Sequence, residues 1–169
     1  MSGITFIIGG ARSGKSSLAL KKASDKQGKK AYIATAQAFD DEMKARIEKH
    51  KKERSAEWDC FEEPLELARL LSGLQGKYEV LLIDCLTLWL SNIMLAEKSI
   101  EDEIDSLIVS LNGIDSSLFL VSNEVGLGIV PDNPLGRRFR DLAGTLNQRV
   151  AAAADDVYLV AAGIPVKIK

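Results

Sequence analysis

Ile4-Thr5-Phe6-Ile7-Ile8-Gly9-Gly10-Ala11-Arg12-Ser13-Gly14-Lys15-Ser16 runs from an apolar stretch into a glycine-bracketed turn that closes on Lys-Ser. The spacing of Gly9, Gly14, Lys15 and Ser16 is that of a phosphate-binding loop. Its surroundings complete the pattern. Residues 5–8 read as a buried strand, and residues 15–26 read as a helix carrying Leu18, Ala19 and Leu20. Glycines let backbone N–H groups converge on an anion, and the helix turns its positive N-terminal end toward it. Lys15 is expected to reach the terminal phosphates and the Ser16 hydroxyl to ligate Mg²⁺. A glycine-rich turn without a ligand does not account for the agreement of strand, loop and helix. The stretch predicts a bound nucleoside triphosphate.

The rest of the chain is compatible with that reading. Its 169 residues suffice for one α/β domain and are too few for two ordinary ones. Lys and Arg number 22 against 24 Asp and Glu, so no basic field points to nucleic acid. The apolar stretch at residues 4–8 is too short for a signal peptide or a membrane span, and a cytoplasmic enzyme is expected. Cys60 and Cys85 lack CxxC spacing and read as reduced packing residues.

Strand and helix patterns alternate along the sequence. Residues 29–34 read as a strand and residues 40–52 as a strongly charged helix, while residues 58–61 are ambiguous. Glu63-Pro64 looks like the start of a helix bearing Leu65, Leu67, Leu70 and Leu71 on one face. Residues 79–83 form a near-continuous apolar run, as in a parallel strand buried on both faces. Helices follow around Trp89 and over residues 100–111, then a strand at 118–121 and a loop from Ser122 to Asn133. A long helix over residues 134–154 precedes short strands at 156–160 and 165–168. This alternation predicts a single α/β domain over residues 1–169, with a mostly parallel sheet and helices on both faces.

Asp84 ends the run Val80-Leu81-Leu82-Ile83, where P-loop folds place a carboxylate that holds Mg²⁺ beside the loop. The other reading is a cap for the following helix. Neither Asp-x-x-Gly nor Asn-Lys-x-Asp occurs, which argues against a GTPase switch and leaves small-molecule phosphoryl transfer in front. The lone histidine, His50, lies in a charged segment where Glu42, Arg46, His50 and Arg54 recur every fourth residue along one helical face. Flanking cations favour its neutral, nucleophilic form. A solvated, ion-paired helix that happens to contain a histidine fits the composition as well.

The chain resembles one family from end to end. The resemblance is carried by Gly9 to Ser16, Tyr32-Ile33-Ala34-Thr35-Ala36, Asp41-Glu42-Met43 with Arg46-Ile47 and His50, and Asn123-Glu124-Val125-Gly126-Leu127-Gly128-Ile129-Val130-Pro131. Phe139-Arg140-Asp141, Asn147-Gln148-Arg149 and the closing Gly163-Ile164-Pro165-Val166-Lys167-Ile168-Lys169 extend it. The chain is similar to the bifunctional adenosylcobinamide kinase/adenosylcobinamide-phosphate guanylyltransferases of cobalamin biosynthesis. The resemblance implies a P-loop NTPase-type, RecA-like fold. It also implies phosphorylation of adenosylcobinamide by ATP or GTP, then transfer of GMP from GTP to that phosphate through a guanylyl-histidine at His50. By the same resemblance the nucleotide is held by Gly9, Gly10, Ala11, Arg12, Ser13, Gly14, Lys15 and Ser16, by Thr35, Ala36 and Gln37, by Lys51, Lys52, Glu53 and Arg54, and by Glu62 and Asp84. Family members often carry Glu at the Asp84 position, and Asp puts the same charge on a shorter stem.

A homotrimer with small-molecule substrates is implied too. Kinase-only activity and a non-catalytic nucleotide-binding regulator are the rival readings. Residues 123–131 read either as a ligand loop or as a long flexible turn. Arg137, Arg138 and Arg140, at the unfavourable positive end of a helix, are expected to contact phosphates or a neighbouring subunit. Trp89 reads as core or interface.

Overall fold

In the computed structural model, which describes residues 2–37 and 57–169, the opening apolar stretch lies within strand β1 (Gly3–Gly9). Helix α1 (Lys15–Ser24) follows the loop. Strands β2 (Lys30–Ala34) and β3 (Trp58–Glu62) come next, then helix α2 (Leu67–Leu74) and strand β4 (Val80–Asp84). Helices α3 (Leu86–Leu95) and α4 (Ile100–Asn112), strand β5 (Ser117–Asn123), helix α5 (Pro134–Ala153) and strands β6 (Asp156–Ala161) and β7 (Ile164–Lys167) complete the order. The seven strands form one sheet in the order β3-β2-β4-β5-β1-β6-β7. All pairs are parallel except β6–β7.

Side chains of a strand alternate between sheet faces, and the two cores follow that period. Phe6 and Ile8 of β1, with Leu81 and Ile83 of β4, join Leu67, Leu71, Leu86, Trp89, Leu107 and Leu146 on one side. Ile7, Val80 and Leu82 join Ala19 and Ala23 of α1 on the other. Helices therefore cover both faces, as the alternating pattern predicts. The small Ala19–Ala23 face lets α1 lie close to the sheet, which brings its N-terminus up to the strand ends.

Two expectations need correction. Helix α2 begins at Leu67 rather than at Glu63-Pro64, because the Glu63 carboxylate accepts from the N–H groups of Leu65 (2.9 Å) and Glu66 (2.7 Å) and holds a non-helical turn there. The ambiguous segment is the edge strand β3, of which only Trp58 is buried. Cys60 on that edge is exposed, so it is not a packing residue, whereas Cys85 is buried. The expected charged helix at 40–52 lies outside the described residues.

Candidate functional site

The C-terminal ends of the parallel strands lie along one side of the sheet. In register, Glu62 and Asp84 flank Ala34 on its two sides, and Asn123 pairs with Gly9. Strand β4 is not adjacent to β1. Strand β5 lies between them, so Asp84 stands two strands away from β1, about 10 Å at ordinary strand spacing. On the intervening strand Asn123, in register with Gly9, is the last residue of β5, so the loop expected from Ser122 starts two residues later.

Gly9 must be glycine, since a Cβ there would sit 2.4 Å from the Val160 carbonyl oxygen. Gly14 has φ +94°, a left-handed conformation suited to glycine, and is the N-cap of α1 with no side-chain cap. The first-turn N–H groups of α1 thus lack the side-chain acceptor that many helices supply, and no acidic residue occupies that turn. This is the electrostatic end to which anions are drawn. Lys15 is buried, with its ammonium donating to the Gly10 carbonyl at 3.0 Å, so the side chain folds back over the loop. Ser16 is half-buried at the helix start, while Gly10, Ala11, Arg12 and Gly14 are exposed along the loop.

Asp84 is half-buried, and its carboxylate accepts from the Tyr32 hydroxyl at 3.0 Å. The N-cap of α3 is Cys85, not Asp84. The helix-capping alternative for Asp84 therefore fails. Burial, and then the neighbouring Asp84 charge, push the Cys85 thiol above its ordinary pKa, while the Lys15 ammonium pulls the other way.

A web of short polar side chains underlies this edge. The Thr35 hydroxyl donates to the Cys85 carbonyl (2.7 Å) and accepts from the Cys85 N–H (2.9 Å). Asn92 donates to the Thr35 carbonyl at 2.8 Å. The Thr87 hydroxyl accepts from the Asn123 side chain at 2.9 Å, and Asn147 donates to the Asn123 carbonyl at 3.2 Å. Thr35 is fully buried and its hydroxyl is engaged within the protein, whereas Ala36 and Gln37 beyond it are half-buried. Glu62 is exposed at the end of β3. His50, Lys51, Lys52, Glu53 and Arg54 lie outside the described residues. Arg137 donates to the carbonyls of Pro131 (3.0 Å) and Asp132 (2.9 Å), bracing the loop before α5. Trp89 is wholly core, its indole N–H donating to the Leu65 carbonyl at 2.9 Å.

Mg²⁺ characteristically takes one or two carboxylates and completes its shell with substrate phosphates and water. Ser16 and Asp84 fit that pattern. Among the described residues no cluster of three or more His, Cys, Asp or Glu side chains forms a protein-only cage. Among the same residues no helix is long and apolar enough to cross a membrane.

The parallel sheet, the glycine-bracketed loop with Lys15 buried over it and the carboxylate at the end of β4 define a P-loop nucleotide-binding protein. Comparisons with known proteins carry the assignment further. Residues 5–168 match the family model described as cobinamide kinase / cobinamide phosphate guanyltransferase. The chain is 44% identical to the bifunctional adenosylcobalamin biosynthesis protein CobP of Pseudomonas aeruginosa, covering 97% of this chain and 96% of that one. It is 43% identical to the CobU protein of Salmonella typhimurium that carries the same bifunctional description, covering 97% and 98%. The chain belongs to the cobinamide kinase/cobinamide phosphate guanyltransferase family, a family of transferases.

In fold it resembles an ATPase from the type III secretion system of pathogenic bacteria (TM-score 0.61, 10% identity, 98% of this chain and 56% of that one). It also resembles EscN, the type III secretion ATPase of enteropathogenic Escherichia coli (TM-score 0.60, 10% identity, 95% and 43%). The chain spans about half the length of these two ATPases, and the likeness concerns the fold alone.

Proposed function

We propose that this chain carries out both reactions of its family: phosphorylation of the cobinamide hydroxyl by ATP or GTP, then transfer of GMP from GTP to the resulting phosphate, releasing pyrophosphate. The observation that carries the reading is the phosphate loop, with Lys15 buried over it, inside a family match that spans residues 5–168. Residues 9–16 hold the β- and γ-phosphates. Lys15 neutralises charge that builds on the departing oxygens, and the loop orients the γ-phosphorus toward the attacking alcohol. Ser16 and Asp84 would hold Mg²⁺, which when bound supplies further charge neutralisation on the phosphates.

For guanylyl transfer, the neutral His50 ring nitrogen attacks the α-phosphorus. A P–N bond forms as the bond to the pyrophosphate oxygen breaks. An oxygen of cobinamide phosphate then attacks the same phosphorus, the P–N bond breaks, and His50 regains its lone pair. Gln37, Glu62 and the 51–54 segment complete the nucleotide contacts in this reading. A homotrimer and a cytoplasmic setting, where nucleoside triphosphates are available, belong to it as well.

The test is covalent. Protein incubated with α-labelled GTP and Mg²⁺, then denatured, is expected to retain label through an acid-labile, base-stable bond, and His50→Ala is expected to retain none. Label persisting in folded His50→Ala would exclude the histidine route. Wild-type protein that phosphorylates cobinamide yet never takes up label would be a kinase alone.

A further inference from the structure

The closing stretch beginning at Gly163 has no part in the chemistry above, yet it touches the phosphate loop. Ala161 pairs with Ile164, leaving Ala162 and Gly163 as a two-residue turn between β6 and β7. Their φ values are +50° and +79°, and two successive positive φ values define a type I′ hairpin turn. The Gly163 N–H donates to the Ser13 carbonyl at 2.8 Å. A Cβ on Gly14 would come within 3.3 Å of the Gly163 Cα. The hairpin therefore backs the outer side of the loop.

The Ser13 carbonyl and the Gly14 N–H belong to one planar trans peptide and point in opposite directions. A donor that holds the carbonyl toward the hairpin turns the Gly14 N–H the other way, away from the hairpin. The same hydrogen bond polarises that N–H as a donor. The geometry points to Gly163 as a positioning residue for phosphate binding, its N–H aiming the Gly14 N–H at the bound β- or γ-phosphate. This rests on the reading of residues 9–16 as the phosphate cradle.

Two turn variants separate direction from mere closure. Ala162→Asn keeps a type I′ turn. The double substitution Ala162→Gly, Gly163→Ser favours type II′, which closes the same hairpin with its central peptide flipped and the N–H at 163 turned away. Calorimetric titration with GTP, GDP and GMP reads the result, with urea midpoints as the check on folding. Ala162→Asn is expected to bind GTP within about twofold of wild type. The double variant is expected to lose about 5–10-fold in affinity for GTP and GDP, the equivalent of one hydrogen bond, with GMP binding unchanged. Equal GTP affinity in the folded double variant, or an equal loss for GMP, would overturn the inference.

Should the double variant not fold, amide NMR of the wild-type protein decides. Added GTP is expected to shift the Gly163 and Gly14 amides together and to slow Gly163 exchange. A Gly163 amide indifferent to GTP overturns the inference. Wild-type protein that binds no GTP removes the cradle reading as well, whereas wild-type binding with an indifferent double variant removes this inference alone.

Discussion

Lys15 and Cys85 show how differently two buried residues of one strand-end region behave. The Lys15 ammonium is stripped of most of its water and held by a backbone carbonyl. Exchanging a carbonyl partner for a doubly charged phosphate is worth a strong charge-assisted hydrogen bond, roughly 1.5–3 kcal/mol. Lys15→Met is therefore expected to weaken GTP binding by about 10–100-fold in titration. Cys85 is held in the opposite state. Burial and the Asp84 charge favour its neutral thiol, and the contact of its sulfur with the Thr87 hydroxyl (3.0 Å) only partly offsets them. Thiolate is the reactive form. Iodoacetamide at pH 8 is expected to modify the exposed Cys60 and to spare Cys85 until the protein is unfolded, which peptide mass mapping will show.

At the scale of elements, charges from distant parts of the chain tie ends together. Lys169 donates to the carbonyls of Ala151 (3.0 Å), Ala152 (3.0 Å) and Ala154 (2.6 Å), placing a cation on the negative end of α5, which has no basic residue in its own last turn. Lys169→Met is expected to lower stability by about 1 kcal/mol in urea unfolding. On the edge strand, Asp59 accepts from the Tyr78 hydroxyl (2.8 Å) and pairs with Lys29 (3.3 Å); these two contacts, in that order, hold its carboxyl below the ordinary value. A depressed carboxyl pKa contributes stability above the unfolded value, about pH 4, and loses it as pH falls through the folded value. Asp59→Asn should thus flatten the acid limb of a urea-midpoint-against-pH curve and leave its shape above about pH 5 unchanged.

These elements also show what the sequence carries and what it does not. Strands β1 and β4 were legible because continuous apolar runs beside a glycine-rich turn have few other uses. Strand β3 was ambiguous because an edge strand with one buried residue has no period to read. The start of α2 was misplaced because a Glu side chain, not a backbone propensity, holds the turn before it. Within the polar web, Thr35 and Asn123 fall in stretches that carry the family resemblance, whereas Cys85, Thr87 and Asn92 left only a faint trace: single polar residues set in apolar stretches, such as Thr87 between Leu86 and Leu88. Only strand order makes them neighbours.

Across the whole molecule, the parallel sheet separates two kinds of work by end. The C-terminal ends of β1, β2, β4 and β5 bring together the phosphate loop, Thr35, Asp84 and Asn123. The opposite end contains contacts that only fasten strands. There the Asp155 carboxylate accepts from the Ile4 N–H at 2.7 Å while the Asp155 N–H donates to the Ile4 carbonyl at 2.9 Å, locking the start of β1 to the entry of β6. Asp155→Ala leaves a largely buried N–H without its acceptor, at a cost of about 1–3 kcal/mol. Because β1 is paired with β5 along its whole length and with β6 from Thr5 to Gly9, that loss should not move the loop at its far end. The expected pattern is a double dissociation: Asp155→Ala lowers the urea midpoint with GTP affinity unchanged, and Asp84→Ala weakens Mg²⁺-dependent GTP binding while the midpoint changes less. Paired titration and unfolding curves for the two variants measure it. A fall in GTP affinity in Asp155→Ala that matches its loss of stability would mean that the sheet transmits strain along β1, and that the two ends are not independent.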